Sequence, residues 1–295
     1  MLLLDFLKQC ASNLTFAKLK TYAARSPDSI SGDGVKLYLD LLKRCVGNFI
    51  YDDDVDLMGN WVIDSKTGKY ASSEGMRVLP EAKYLGEIWP SRAHTMIGMP
   101  RLENLQWCVE EVLKGGIQGD LIETGVWRGG ATIFMRGILK AYGVTDRRVW
   151  VADSFAGLPQ ADRMRYPKET NIEFHLHQDL AVSLEDVKKN FQRYGLLDDQ
   201  VRFLEGWFRD TLPTLQGRRW SLVRLDGDMY ESVILGLRHL YPGLSPGGYL
   251  IADDYGDPGK VLQAKKAVDD YRAEQGITEG MEWIDERAIA WRKSR

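Results

Sequence analysis

Residues 224–232 (RLDGDMYES) determine how the surrounding chain can fold. An apolar run ends there abruptly in carboxylates, and the same pattern returns in residues 251–255 (IADDY). Such a pattern is typical of a buried parallel strand that reaches the surface at its carboxyl end. If the two strands are neighbours, about 4.8 Å apart, their terminal aspartates can converge on one ion. Asp226, Asp253 and Asp254 offer oxygen ligands alone, which suits Mg²⁺ or Ca²⁺ and does not suit zinc.

Beyond these two runs, the chain from about residue 100 alternates between strands and helices, beginning with a helix over residues 102–113. Strands are predicted at 120–124, 148–153, 200–205, 220–226 and 247–253, and helices near 130–142, 184–195, 208–215, 231–241 and 259–275. Because each parallel crossover needs a helix, this order predicts an α/β fold with an open, doubly wound, mostly parallel sheet. Residues 282–284 and 288–291 flank a short polar turn, which predicts a C-terminal antiparallel hairpin at the sheet edge.

The N-terminal third lacks this alternation. Residues 1–50 are predicted to be helical, with an apolar stripe at steps of three and four residues made by Val35, Leu39, Leu42, Val46 and Phe49. The acidic run in residues 52–56 lacks the glycine and ligand spacing of a calcium loop and is interpreted as a solvated turn, while residues 60–90 are predicted to be irregular. The chain therefore divides into an N-terminal helical and irregular extension, residues 1–100, and a second domain, residues 101–295. The extension is expected to contact another subunit or to cover the ligand site.

Composition narrows the possible partners. The formal net charge is -3 over 295 residues, and Lys and Arg are scattered, which argues against a nucleic-acid partner. Cys10, Cys45 and Cys108 fit neither a disulfide framework nor a zinc site, so free thiols in a reducing cytoplasm are expected. Asp5 interrupts the apolar start, and no run approaches the roughly 18 apolar residues of a membrane span. The sequence thus predicts a cytoplasmic protein without a membrane partner.

A strand, a glycine turn and a helix are predicted in residues 121–132 (LIETGVWRGGAT). Gly125 permits a tight turn, and the two glycines at 129–130 let backbone amides approach a ligand at the helix start. Trp127 stands where the dinucleotide fingerprint requires glycine, which disfavours NAD. The spacing E-x-G-x-x-x-G instead resembles the first motif of S-adenosylmethionine-dependent methyltransferases. Asp153, at the end of the next predicted strand, is placed to accept hydrogen bonds from ribose hydroxyls.

Taken together, the motifs resemble the macrocin O-methyltransferase family, whose members are metal-dependent enzymes that methylate sugar hydroxyls of antibiotics and related glycosides. The resemblance covers nearly the whole chain. The stretches that carry it are residues 37–43 (LYLDLLK), 92–98 (RAHTMIG), 119–130 (GDLIETGVWRGG), 153–159 (DSFAGLP) and 206–213 (GWFRDTLP), together with the two aspartate runs.

This resemblance implies a Rossmann-like class I methyltransferase domain with S-adenosyl-L-methionine and Mg²⁺ as cofactors. It implies that Asp226, Asp253 and Asp254 bind Mg²⁺. The cofactor pocket would be lined by Glu123, Gly125, Asp153 and Ser154, with Met96 and Ile97 against the methionine end and Trp207 against adenine.

The general base of the implied site has two candidates. The more distant catechol O-methyltransferases place a lysine base three residues after the first metal aspartate, but here Met229 occupies that position. Asp228 and His94 are the remaining candidates for accepting a proton. Asp228 is favoured, since some sugar-modifying relatives use the corresponding acid.

The expected function is Mg²⁺-dependent transfer of a methyl group to a sugar hydroxyl of a glycosylated natural product or related saccharide. Methylation of a phenol or catechol with the same metal is the alternative. An NAD-dependent sugar oxidoreductase is disfavoured by Trp127 and by the lack of a Tyr-x-x-x-Lys pair, and a non-catalytic scaffold would show no metal requirement.

Two further expectations concern the surface. Residues 156–181 form a long connection of the kind that often acts as a lid, and its Arg and His side chains either meet an anionic substrate or face solvent. The apolar N-terminal helices indicate a homo-oligomer.

Overall fold

The computed structural model describes residues 33–51, 61–63, 70–72, 80–167, 169, 173–256 and 263–294. The chain divides into two compact units, Met1–Leu37 and Tyr38–Arg295. Most of the helical prediction for residues 1–50 and the whole acidic run therefore lie outside the described residues. The predicted boundary between extension and domain near residue 100 stays a prediction.

The larger unit is built around a seven-stranded sheet in the order β5-β4-β3-β6-β7-β9-β8. Its strands are β3 (Asp120–Thr124), β4 (Val149–Asp153), β5 (Val201–Glu205), β6 (Trp220–Leu225), β7 (Leu244–Ala252), β8 (Glu282–Trp283) and β9 (Ile289–Arg292). The strands β3 to β7 pair in parallel, whereas β9 is antiparallel to β7 and β8 is antiparallel to β9. A mostly parallel sheet with a C-terminal antiparallel hairpin is thereby confirmed.

Helices supply the crossovers and the N-terminal part. They are α1 (Asp33–Val46), α2 (Pro80–Leu85), α3 (Gly98–Lys114), α4 (Gly130–Ala141), α5 (Leu184–Arg193), α6 (Phe208–Thr211), α7 (Tyr230–Leu240) and α8 (Gln263–Gln275). Both faces of the central strands are covered, and β6 is buried at every position, which explains the near-continuous apolar runs in the sequence. None of the described helices combines the length and apolar character that a membrane crossing needs.

Several boundaries differ from prediction for local reasons. Strand β7 begins at Leu244, although Pro246 and two glycines follow, because Leu244 pairs with Trp220 of β6 before a register shift. The helix predicted at 208–215 is α6 followed by a 3₁₀ turn, Leu212–Leu215, with a proline in its first positions. Proline lacks the N–H that a continuous α-helix needs.

The prediction of irregular structure for residues 60–90 is wrong in the described part. Two short strands, β1 (Trp61–Ile63) and β2 (Tyr70–Ser72), form an antiparallel pair, and α2 follows. Strands of three residues are too short to show an alternating pattern, so only their aromatic and β-branched residues signal them.

Candidate active site

The carboxyl ends of β3, β6 and β7 meet at one edge of the sheet. Thr124 pairs with Leu225, which in turn pairs with Ala252, so the residues that follow each strand are neighbours. Backbone bonds continue past the strand ends, because Asp226 N donates to Thr124 O and Asp253 N donates to Leu225 O, both at 2.9 Å. The expectation that the two aspartate runs are adjacent is confirmed.

This edge gathers an acidic cluster, defined as Asp226, Asp253 and Asp254. One carboxylate oxygen from each lies within 4.8 Å of the others. Burial and repulsion from neighbouring aspartates raise the pKa of Asp254 well above its ordinary value. Burial and the charge of Asp253 likewise raise the pKa of Asp226. A bound cation would relieve this repulsion.

Two buried arginines counterbalance part of the negative charge. Arg224 donates from Nη1 to Glu123 and, at 2.7 Å, to Asp226, and from Nη2 to Asp253. Arg101 donates from Nη1 to the second oxygen of Asp253 at 2.6 Å. Burial raises the pKa of Asp253, but both guanidinium groups together outweigh it, so its pKa lies below the ordinary value.

The residues present fit a hard divalent cation. Asp226, Asp253 and Asp254 supply only oxygen, as Mg²⁺ requires. Each carboxylate oxygen carries more than one lone pair, so Asp253 can still coordinate a cation while it accepts from two arginines. Asp228 adds a fourth carboxyl group nearby, whose charge contributes to the raised pKa of Asp254. Burial raises the pKa of Glu123 to about 8, so Glu123 adds little charge at neutral pH.

One cavity of about 560 Å³ is lined by all the residues predicted to bind the cofactor or the metal and by the favoured base. These are Met96, Ile97, Glu123, Gly125, Asp153, Ser154, Trp207, Asp226, Asp228, Asp253 and Asp254. The structure thus brings the predicted cofactor residues, the acidic cluster and the favoured base to a single space.

The glycine loop has the conformation that its sequence requires. Gly125 has a φ of +80°, and a Cβ there would overlap the carbonyl oxygen of Asp226 on the neighbouring strand. A Cβ at Gly130 would lie 2.5 Å from the carbonyl carbon of His94. Glycine at these positions therefore lets three chain segments approach one another at the cavity wall.

Asp153 has a role that the sequence did not reveal. Its carboxylate accepts from Val126 N at 2.7 Å and from Phe155 N at 2.8 Å, so it ties the glycine loop to the end of β4. Burial raises the pKa of Asp153 despite these hydrogen bonds. It still lines the cavity, where the predicted ribose contact would occur.

The two candidate bases lie in different surroundings. Asp228 lines the cavity in a left-handed backbone conformation, with φ 53°, and its N–H donates to Asp254 at 3.2 Å. His94 is absent from the cavity lining, and its Nδ1 is hydrogen-bonded with the hydroxyl of Tyr194 at 2.6 Å. Burial lowers the pKa of His94 to about 4. The geometry therefore favours Asp228 over His94.

Residues 156–181 contribute to the cavity in their described part. Gly157, Leu158, Pro159, Phe174 and Leu180 line it, whereas Arg163, Arg165, His175 and His177 do not. The indole N–H of Trp127 donates to Asp179 O at 2.8 Å, which fastens this segment to the glycine loop. Glu169 is buried and accepts from Glu231 N at 2.6 Å, at the start of α7. Movement of the segment as a lid stays a prediction.

Sequence order, sheet order and loop chemistry define a Rossmann-like class I methyltransferase fold. The glycine loop follows β3, where the order of strands reverses, and the acids follow the neighbouring strands β4, β6 and β7.

Comparison with known proteins then specifies the family. Residues 35–293 match the model of the macrocin O-methyltransferase (TylF) family, and the chain belongs to that family. It is 50% identical over 264 residues to the mycinamicin III 3''-O-methyltransferase of Micromonospora griseorubida, covering 88% of this chain and 98% of that relative.

Two further O-methyltransferases are similar to this chain over most of its length. The 8-demethyl-8-(2,3-dimethoxy-α-L-rhamnosyl)-tetracenomycin-C 4'-O-methyltransferase of Streptomyces olivaceus is 48% identical over 263 residues, covering 88% of this chain and 94% of the relative. The solved structure of the O-methyltransferase NovP has a TM-score of 0.76 and 44% identity, covering 88% of this chain and 100% of NovP.

Proposed function

We propose that this protein is a Mg²⁺-dependent enzyme that moves a methyl group from S-adenosyl-L-methionine to a sugar hydroxyl of a glycosylated natural product or related saccharide. One observation carries the proposal: the glycine loop and the acidic cluster line the same cavity. A cofactor and a cation-bound acceptor could therefore meet there. The names of the mycinamicin and rhamnosyl-tetracenomycin relatives support a glycoside as the acceptor.

Cofactor binding is assigned to the cavity wall formed by the glycine loop. Glu123 and Gly125 would contact the methionine part together with Met96 and Ile97. Asp153 and Ser154, which follow β4, would lie at the ribose, and Trp207 would pack against adenine.

The acceptor side is assigned to the acidic cluster. Asp226, Asp253 and Asp254 would hold Mg²⁺, which when bound makes a coordinated hydroxyl more acidic and orients it. Asp228, two residues beyond Asp226, would accept the hydroxyl proton. S-adenosylmethionine, when bound, would supply the methyl group: the acceptor oxygen would bond to the methyl carbon as the carbon–sulfur bond breaks, leaving S-adenosylhomocysteine.

The test uses purified protein treated with EDTA and S-adenosylmethionine labelled in its methyl group. Labelled methyl should appear on a macrolide or rhamnoside acceptor only after Mg²⁺ is restored. Transfer to a phenol panel in preference to the glycosides would favour the catechol-type alternative. Full activity without a divalent cation would contradict the metal assignment, and absence of transfer to either panel would contradict the proposed function.

The cytoplasm is the proposed compartment. Cys45 and Cys108 are free thiols, as expected in a reducing environment.

A further inference from the structure

Arg224 is bonded to three residues that line the cavity, one on the glycine-loop strand and two in the acidic cluster. It projects from β6, is 1% exposed, and is held by carboxylates from three neighbouring strands. Its Nη1 donates both to Glu123, on β3, and to Asp226, and its Nη2 donates to Asp253, after β7. One side chain therefore connects the glycine-loop strand with the acidic cluster.

We propose that Arg224 is a positioning residue that couples cofactor binding to divalent-cation binding, so that each ligand increases the affinity for the other. The inference rests on the function proposed above, in which Glu123 faces the cofactor and Asp226 and Asp253 face the cation. It adds a thermodynamic link between the two sites, carried by one guanidinium group.

The coupling is expected to be positive because Glu123 and Asp226 share one donor, Nη1 of Arg224. Without a cation, Nη1 of Arg224 is divided between Glu123 and Asp226. A dication at the acidic cluster would neutralise part of the charge that draws Arg224 toward Asp226, so its attraction to Glu123 would strengthen. Glu123 is then held in one position, and ordering it costs the cofactor less free energy. Because thermodynamic linkage is reciprocal, the bound cofactor must increase the affinity for the cation by the same factor.

The chemistry of arginine is needed for this role. A planar guanidinium presents several donors in a fixed fork and can bond three carboxylates at once, whereas a lysine ammonium is a single point charge on a flexible stem. Arg101 provides a natural comparison. It bonds Asp253 and, at 3.0 Å, the carbonyl oxygen of Gly86, and its Nε lies 2.9 Å from a carboxylate oxygen of Asp285. No hydrogen bond between Arg101 and Glu123 is found in the described structure.

Calorimetry on the chelator-treated full chain can measure the coupling without turnover. S-adenosylhomocysteine serves as the probe, because it lacks the sulfonium charge that a dication would repel directly. Its Kd should fall about fivefold or more when Mg²⁺ is saturating, within the range typical of coupled sites. The Kd of Mg²⁺ should fall by the same factor when S-adenosylhomocysteine is saturating. Equal Kd values with and without the other ligand would overturn the inference.

Variants then assign the coupling to Arg224. In Arg224→Lys both ligands should still bind, and the coupling factor should approach one. The matched control, Arg101→Lys, should weaken Mg²⁺ binding yet keep the wild-type factor, because its contacts do not reach Glu123. A wild-type factor in Arg224→Lys would overturn the assignment.

Glu123→Gln keeps the experiment decisive if Arg224→Lys does not fold. It leaves the bonds from Arg224 to Asp226 and Asp253 in place and replaces the carboxyl group that accepts from Arg224 on the cofactor side by an amide, so the factor should again approach one. A persistent factor in Glu123→Gln would contradict the inference. Wild-type protein that binds neither ligand would refute the proposed function itself, whereas independent binding of both would refute only the coupling.

Discussion

At the scale of single residues, Asp226 and Asp228 are neighbouring carboxylates with different predicted roles. Asp226 is bonded to Arg224 and belongs to the acidic cluster, whereas Asp228 lines the cavity beside the cluster and donates its backbone N–H to Asp254. Replacing each by asparagine keeps the size of the side chain and removes one charge. The two variants can therefore separate cation binding from proton transfer.

Asp228→Asn should lower kcat by about 100-fold or more, the usual contribution of a general base, with a smaller effect on the Kd of Mg²⁺ than Asp226→Asn has. Asp226→Asn, its matched control, should instead raise the Kd of Mg²⁺, so that part of the lost activity returns at high Mg²⁺. Steady-state kinetics over a Mg²⁺ series and calorimetry measure both quantities. Wild-type turnover of Asp228→Asn at saturating substrate would show that Asp228 is not the base.

The sequence identified carboxylates more readily than their counterions. Asp226, Asp253 and Asp254 were predicted because each ends an apolar run, and a strand end has a definite place in a parallel sheet. Arg224 is a charged residue inside an otherwise apolar strand, which indicates that it has a buried partner but does not identify that partner. Its partners on β3 and β7 are set by strand order, which local sequence patterns do not contain. Asp153 was predicted for ribose, but its bonds to the glycine loop depend on the fold.

At the scale of elements, helix α7 begins at Tyr230, two residues after Asp228. The helix has no side-chain cap from Met229, its N-cap residue. Glu169, far away in sequence, accepts from Glu231 N and from Tyr230 N and so satisfies the first turn. The segment of residues 156–181 therefore helps to fix the turn in which Asp228 is held with positive φ.

Glu169→Gln should lower the free energy of unfolding by about 1 kcal/mol, as expected for loss of a capping carboxylate. It should also lower kcat severalfold, because a small displacement of the turn misplaces Asp228 relative to the acceptor. Thermal melts and steady-state kinetics test both effects. The control is Glu173→Gln, an exposed glutamate of the same segment, which should change neither. Unchanged kcat in a destabilised Glu169→Gln would limit its role to folding.

The positions of helices and strands are predictable where the spacing of apolar residues agrees with the glycines and prolines that end an element. Strand β3 matches its prediction, and β4, β5 and β6 differ by one residue at one end, since apolar runs and glycines mark them clearly. Helix α3 begins at Gly98, four residues before the predicted start, because its first residues, which include Met99 and a proline, carry no polar cap signal. The Glu169 contact to α7 joins residues about sixty positions apart and could not be read from local sequence.

At the scale of the whole molecule, the surface near α1 bears apolar side chains. Within the unit Tyr38–Arg295, Leu41 is 54% exposed, Ile50 is 47% exposed and Tyr51 is 65% exposed. Single exposed apolar residues are common, but several within a short stretch of chain, one in α1 and two soon after it, favour a contact surface. We propose that this surface forms part of a homo-oligomer interface.

Leu41→Glu should shift the protein toward a smaller oligomer, because a charge buried at an apolar interface is costly unless it is paired. Light scattering coupled to size-exclusion chromatography measures the mass of wild type and variant across a concentration series. Met164→Glu is the matched control, since Met164 is 97% exposed in a different part of the chain and the substitution adds the same charge. A wild type that stays monomeric at all concentrations would contradict the homo-oligomer. An unchanged oligomer in Leu41→Glu would place the interface on another surface, and a shift in both variants would point to net charge as the cause.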